Sequence, residues 1–254
     1  MNILSTYEYP PAPHLQVRMT KLGAESAPLV VIDDFLANPA DLVDYAAKSR
    51  FSPVSGNLYP GIRAPLPASY MDMMRALIPG IVSSAFGLDD LDALRSEGDF
   101  SLVTTPPQQL EVMQCMPHFD TTDPGQIAVL HFLCADHMGG TAFYRHRRTG
   151  YESISPERSD FYLSELSADL QLQGLPERRY INGETMHFEP IGAIGAAFNR
   201  LILYRSASLH SGCIAPGFRF DPNPRTGRLT ANVFLHFRGL ALCPVHGVHG
   251  PHDH

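Results

Sequence analysis

Residues 227–237, GRLTANVFLHF, and residues 201–206, LILYRS, carry the pattern that decides the fold. Each is a short apolar run with β-branched or aromatic residues between turn-forming or polar residues, which is typical of a β-strand. Further runs of this kind are SLVTT (101–105), LEVMQCM (110–116), IAVLHFL (127–133), TAFYRH (141–146) and AIGAAF (193–198). Several such strands with turns between them predict a sandwich or barrel.

Helical patterns come before this strand-rich part. LVVID (29–33) reads as a buried strand, after which the apolar residues shift to helical spacing, with Asn38 as the cap and Pro39 as the first helical residue. A second helix is predicted over roughly residues 69–88, and residues 151–189 indicate a helical or irregular insertion between strands. The expected fold class is therefore mostly β with flanking α-helices.

Composition limits the kind of protein this is. With 254 residues and 44% hydrophobic content, the chain can bury a substantial core, so we expect one domain over residues 1–240 and a histidine-rich tail over residues 241–254. The formal net charge is −7 and no long run of Lys or Arg occurs, which argues against nucleic acid or an anionic membrane as the partner. A small-molecule or peptide substrate fits this charge better.

The chain also lacks the usual signs of export. Its first residues show no basic region followed by an apolar stretch, and no segment approaches the ~20 apolar residues that span a bilayer. The four cysteines are scattered without a Cys-x-x-Cys pair, which suits reduced thiols better than a disulfide framework. The expected location is the cytoplasm.

The chemistry is concentrated in MPHFD, residues 116–120, and in a distant histidine, His210. In an extended strand His118 and Asp120 point to the same side, while Phe119 points to the other. Two imidazoles and one carboxylate on one face of a metal leave its other positions open, as a non-haem Fe(II) oxygenase requires. The alternative for the tripeptide is a polar strand end, and for the other internal histidines we expect hydrogen-bonded or solvent-facing roles.

Taken in order, the motifs resemble the Fe(II)/2-oxoglutarate-dependent dioxygenase superfamily, particularly its prolyl-hydroxylase-like branch. The resemblance covers about residues 29–237: VVIDDFL with a following helix, HFD, the glycine turn of MGGTAFYRH (138–146), LYRSASLHSG (203–212), and GRLTANVFLHF. It implies a double-stranded β-helix, also called a jelly roll or cupin-like barrel, with the N-terminal helices packed outside.

The resemblance also implies a ligand set and a reaction. His118, Asp120 and His210 become the iron ligands and catalytic residues, with Fe(II), 2-oxoglutarate and O2 as cofactor and co-substrates. Hydroxylation of a small-molecule, amino-acid or peptide substrate is the implied activity. Two alternatives stay open: a catalytically silent cupin-like metal-binding or interaction protein, and a metal-dependent enzyme that does not use 2-oxoglutarate.

The family's basic residue, which binds the distal carboxylate of 2-oxoglutarate, falls on Arg228, with Thr230 beside it. Side-chain alternation puts Arg228 and Thr230 on one strand face, where guanidinium and hydroxyl can donate to the same carboxylate. Arg219 lies nearer His210 in sequence, but it shares its face with Asp221, whose charge would repel the co-substrate. The segment 217–226 is longer than the usual connection and departs from the family pattern.

Substrate contacts are the least determined part of the prediction. Tyr59 and Arg63 in NLYPGIRAPLP (57–67), which the glycine and prolines predict to be a loop, and Arg145 after the glycine turn are the candidates, because an arginine at a pocket mouth suits a carboxylate-bearing substrate. Ordinary loop anchoring is the alternative for all three. The chain has no Gly-x-Ser-x-Gly elbow, phosphate-binding loop or dinucleotide glycine motif, which disfavours hydrolase, nucleotide-binding and nicotinamide chemistry.

Overall fold

A computed structural model of the chain describes residues 7–53, 59–88 and 95–237. The strands in these ranges are β1 (Gln16–Leu22), β2 (Ala27–Asp33), β3 (Ser52–Pro53), β4 (Gly61–Pro65), β5 (Arg95–Val103), β6 (Gln126–Phe132), β7 (Thr141–His146), β8 (Phe188–Ile194), β9 (Arg200–Arg205), β10 (His210–Gly212) and β11 (Leu229–His236). The helices are α1 (Pro39–Lys48), α2 (Ala68–Phe86) and α3 (Pro156–Gln173). The predicted tail, residues 241–254, lies outside the described residues.

The strands form two antiparallel sheets. The large sheet has the order β1-β2-β9-β6-β11-β5-β4-β3, and the small sheet has the order β10-β7-β8. An extended segment at His118 pairs with His210 and so adds a fourth member beside β10. From β5 onward the chain passes repeatedly between the two sheets, which is the strand order of a double-stranded β-helix. The predicted mostly β, jelly-roll fold is confirmed.

Strand β11 shows how the sequence separates the core from the site. Its odd-numbered residues from Leu229 to Leu235 are buried in the core that α1 and α2 form with the outer face of the large sheet. Thr230, Asn232 and Phe234 alternate with them and face the small sheet, where they line a cavity. The N-terminal helices therefore pack outside the barrel, as predicted.

A third layer supports the small sheet from its outer side. Tyr162 and Leu166 of α3 are buried against Ala142 and Tyr144 of β7. This helix lies within the segment predicted as a helical or irregular insertion. Among the described residues, none of the helices is long and apolar enough to cross a membrane.

Several local predictions were wrong, including the loop over residues 57–67, where Gly61–Pro65 forms β4, and the strand over residues 193–198, where β8 ends at Ile194. The run 110–116, predicted as a strand, contains a 3₁₀ helix over Val112–Cys115, because Glu111 and Gln114 cap its start with side-chain hydrogen bonds. The Glu111 backbone N–H donates to Gln114 Oε1 at 2.8 Å, and this local pairing competes with strand formation. Asn38 stands at the start of α1 as predicted, but its side chain makes no capping hydrogen bond.

Candidate active site

His118, Asp120 and His210 meet at the end of the small sheet. The His118 N–H donates to the His210 carbonyl at 2.9 Å, and the His210 N–H donates back at 2.8 Å. His118 Nε2 lies 3.7 Å from Asp120 Oδ1, and His210 Nε2 lies 3.8 Å from Asp120 Oδ2. One donor atom from each residue lies within 4.8 Å of the others. Phe119 points the other way and packs edge-on against Tyr162, as alternation predicts.

A hydrogen bond to the backbone fixes the tautomer of His210. Its Nδ1 lies 2.9 Å from the Ser208 carbonyl oxygen, which can only accept, so the proton is on Nδ1. The Nε2 lone pair is then left free toward Asp120. The backbone thereby selects the tautomer that suits a metal at Nε2.

The electrostatics of the triad favour a bound cation. Burial, then His210 and Arg63, lower the pKa of His118 below its ordinary value, although 41% of its side chain is accessible along the cavity. Burial raises the pKa of Asp120, against the opposing charges of His210 and Arg63. Neutral imidazoles are the ligand form, and a divalent ion would compensate the burial of the carboxylate. The donor set therefore fits a divalent transition metal.

The triad opens into a cavity of about 110 Å³ between the two sheets. Seven of the eight predicted site residues line it: Tyr59, Arg63, His118, Asp120, His210, Arg228 and Thr230. Asn232 and Tyr204 line it as well, and the sequence reasoning did not select them. Asn232 was detectable, because it shares the alternation face of Thr230 in β11.

Arg228 is a buried cation without an acidic partner among the described residues. Its exposed fraction is 4%, Nη2 donates to the Gly140 carbonyl at 2.9 Å, and Nε is buried without a hydrogen-bond partner. The ionisable neighbours that its charge affects include Tyr59, whose pKa burial raises to about 12, and Cys134, whose pKa burial raises to about 11. Because both are neutral at pH 7, they leave the guanidinium charge uncompensated, which is costly inside a protein.

A pair of glycines brings β7 close enough for this contact. Gly139 has φ of +82°, and a Cβ at Gly140 would lie 1.8 Å from the Ile194 carbonyl oxygen. The Gly140 carbonyl also accepts the Cys213 N–H at 3.0 Å. The glycine turn of the sequence motif thus has a steric cause and helps to position Arg228.

The remaining arginine candidates lie elsewhere. Arg219 is exposed in the loop before β11. Arg145 forms ion pairs with Glu152 and Glu189 and does not line the cavity. It follows Thr141 by four residues in β7, a distance of ~13 Å along a strand, so its position after the glycine turn does not bring it to the site.

Other buried histidines have hydrogen-bond partners of their own. His131 lies 3.1 Å from both the Tyr70 hydroxyl and Asn199 Oδ1. His187 Nδ1 lies 2.8 Å from Asp169 Oδ2 on α3. Within the described ranges, the triad is the only group of three or more His, Cys, Asp or Glu side chains placed to hold a metal.

Residues 13–235 match DUF6445, described as a family of unknown function. In structure the chain is similar to HygX from Streptomyces hygroscopicus, solved with nickel, 2-oxoglutarate and hygromycin B bound, at 10% identity and a TM-score of 0.45 over 84% of each chain. It is also similar to an N-substituted L-amino acid dioxygenase from Burkholderia ambifaria AMMD, at 14% identity and a TM-score of 0.44, covering 88% of this chain and 95% of that one. No curated protein matches the sequence.

Proposed function

We propose that this chain, which belongs to the DUF6445 family, is a non-haem Fe(II)- and 2-oxoglutarate-dependent oxygenase. One observation carries the proposal: a His-Asp-His triad and a buried arginine without an acidic partner among the described residues line the same cavity. The first fits a divalent metal and the second fits an anion. A dicarboxylate that binds the metal at one end and the arginine at the other satisfies both.

His118, Asp120 and His210 would hold the metal, and their arrangement leaves room on the cavity side. Bound Fe(II), with 2-oxoglutarate and O2, supplies an oxidant for C–H hydroxylation, while 2-oxoglutarate is converted to succinate and CO2. Burial lowers the pKa of His118 and so favours its neutral imidazole, and the Ser208 carbonyl fixes the tautomer of His210.

Arg228 and Thr230 would bind the distal carboxylate of 2-oxoglutarate. Both are buried, and both line the cavity. A carboxylate near the unpartnered Nε would replace a buried lone charge with a charge-assisted hydrogen bond. Arg228 is therefore a better candidate than the exposed Arg219.

Tyr59 and Arg63 would contact the substrate. The Arg63 guanidinium lies 4.8 Å from the centre of the Tyr59 ring, and both residues line the cavity. Arg145 has no such position, so we do not assign it to the substrate. A small molecule, amino acid or peptide end suits this space.

The test is an anaerobic Fe(II) titration of the metal-free protein with and without 2-oxoglutarate, followed by the visible metal-to-ligand charge-transfer band. We expect a band that needs both components, is lost in His118→Ala and is lost or strongly weakened in Arg228→Met. Arg219→Met, which alters an exposed arginine, is the matched control and should keep the band.

The outcomes separate the alternatives. Iron binding without the band in the wild type would favour a metal-dependent enzyme that does not use 2-oxoglutarate. Failure of the wild type to bind iron at all would favour a cupin-like binding or interaction protein. Normal spectra without turnover of any substrate would favour a catalytically silent metal-binding protein.

A further inference from the structure

A second cavity adjoins, along the large sheet, the cavity in front of the His118–Asp120–His210 triad, which we call the metal cavity. It has a volume of about 200 Å³ and is lined by Arg63, Glu97, Gly98, Asp99, Asn232 and Phe234, a set we call the antechamber. Arg63, Asn232 and Phe234 also line the metal cavity. A molecule in the antechamber therefore borders the space in front of the triad.

Strand register builds this arrangement. Arg63 of β4 lies opposite Ser101 of β5, which lies opposite Thr230 of β11. Two residues further along each strand, and therefore on the same face, Asp99 lies opposite Asn232. Because directly paired residues share a sheet face, these side chains all project toward the small sheet. The antechamber is thus a continuation of the surface that carries Thr230.

The antechamber holds one donor and one acceptor that the protein leaves unused. Arg63 Nε is buried without a hydrogen-bond partner, and Arg63 Nη1 is 4.0 Å from Asp99 Oδ2, too far for a hydrogen bond. Asn232 Nδ2 donates to Ser101 Oγ at 2.9 Å, whereas Asn232 Oδ1 is buried without a partner. Buried polar atoms of this kind require a ligand or water to satisfy them.

The charges around these atoms have opposite signs. Arg63 lines the cavity in front of the triad together with His118 and Asp120, so its positive charge borders that space. On the other side lie Asp99, whose pKa burial raises, and the exposed carboxylate of Glu97. One side of the antechamber thus suits an anion and the other suits a cation that can donate hydrogen bonds.

We propose that the substrate is an amino acid whose carboxylate is bound by Arg63 and whose ammonium group is bound by Asp99 and Asn232 Oδ1. This inference rests on the proposed function, because it takes the adjoining cavity to be the place of oxidation. Two carboxylates then occupy two separate arginines, 2-oxoglutarate at Arg228 and the substrate at Arg63. The small volume of both cavities disfavours a substrate held within a folded protein.

The test measures binding, by calorimetry and thermal shift, to protein loaded anaerobically with Fe(II) and 2-oxoglutarate. The probes are the twenty common amino acids and, for each one that binds, the same molecule without its amine and without its carboxylate. We expect at least one amino acid to bind, and each truncated analogue to bind about tenfold more weakly or worse.

Variants assign the two groups. Arg63→Met should weaken amino-acid binding about tenfold or more without changing 2-oxoglutarate affinity. Asp99→Asn should weaken the binding of the amino acid but not the binding of the analogue that lacks the amine. Arg75→Met, which removes an exposed arginine paired with Asp72 on α2, is the control and should change neither affinity.

Normal binding of Fe(II) and 2-oxoglutarate with no response to any amino acid overturns this inference and leaves the proposed function intact. Equal binding of amino acids and their amine-free analogues also overturns it, because Asp99 and Asn232 would then have no role. Failure of Fe(II) and 2-oxoglutarate to bind the wild type removes the proposed function and this inference together.

Discussion

Arg228→Met should separate ligand binding from folding. In the wild type Arg228 as a whole residue is 4% exposed, and it forms no ion pair with the Asp and Glu residues that the structure describes. Removing one partner of a buried ion pair costs ~3–5 kcal/mol, which corresponds to roughly a 10²- to 10⁴-fold loss of affinity. We therefore expect 2-oxoglutarate binding to fall by at least about two orders of magnitude, with Fe(II) binding unchanged.

The same substitution should not destabilise the ligand-free protein. It removes the 2.9 Å hydrogen bond to the Gly140 carbonyl, worth ~1 kcal/mol, but that carbonyl keeps the Cys213 N–H at 3.0 Å. It also removes a buried charge that has no opposite charge beside it, which favours the folded state. The melting temperature without ligand should stay the same or rise.

The assay is thermal unfolding under anaerobic Fe(II), with and without 2-oxoglutarate. A ligand at 100 times its Kd stabilises by ~2.7 kcal/mol, and a chain of this size gains ~2–4 °C per kcal/mol. The wild type and the Arg219→Met control should therefore melt about 5–10 °C higher with 2-oxoglutarate, whereas Arg228→Met should not shift. If 2-oxoglutarate raised the melting temperature of Arg228→Met as much as that of the wild type, the carboxylate assignment would be refuted. A large fall in the ligand-free melting temperature of Arg228→Met would show that Arg228 is mainly structural.

Three further predictions follow from the geometry. Gly140→Ala should lower the unfolding free energy by about 3 kcal/mol in a denaturant titration, because its Cβ would lie 1.8 Å from the Ile194 backbone oxygen. Gly195→Ala, where a Cβ meets nothing within 4 Å, is the control and should change the unfolding free energy by less than ~1 kcal/mol. Equal denaturation midpoints for the two alanine variants would contradict the close approach of β7 and β8. Burial alone would raise the pKa of Asp169, but hydrogen bonds from His187 and Gln173 lower this pKa overall. Ionised Asp169 therefore stabilises the folded protein fully above the unfolded pKa of ~3.9, and this contribution is lost as pH falls through the lower folded pKa. Asp169→Asn should cost ~1.5–3 kcal/mol at pH 6 and much less at pH 2 to 3, measured by urea unfolding across pH, and a pH-independent cost would count against the charged form. Asp120→Asn should weaken Fe(II) binding at least about 100-fold in an anaerobic titration while circular dichroism stays unchanged, and wild-type iron affinity would remove Asp120 from the ligand set.

Alternation made much of the barrel predictable from sequence. In GRLTANVFLHF the apolar residues Leu229, Val233 and Leu235 occupy one face and Thr230 and Asn232 occupy the other. The structure buries the first face against the helices and turns the second toward the cavity. The same rule placed His118 and Asp120 together, because a period of two is a local property of an extended chain.

Local hydrogen bonding and distance along a strand were harder to predict. The run 110–116 has a strand-like apolar pattern, but the Glu111–Gln114 pair caps a 3₁₀ helix within it. Arg145 was a substrate candidate because it follows the glycine turn, yet it ends in ion pairs with Glu152 and Glu189. Neither outcome follows from hydrophobic periodicity, because both depend on specific polar partners.

The position of Arg63 depends on strand register, which the sequence pattern around it did not reveal. The segment 57–67 was interpreted as a loop, whereas Gly61–Pro65 forms β4 and pairs with β5. A slip of one residue would exchange Arg63 with Ile62 and turn the guanidinium away from the cavity. Ile62 packs against the core between the large sheet and helices α1 and α2, so its partial burial opposes that slip. The packing of one apolar side chain on the outer face of the sheet thus stabilises the register that places a cation on the inner face.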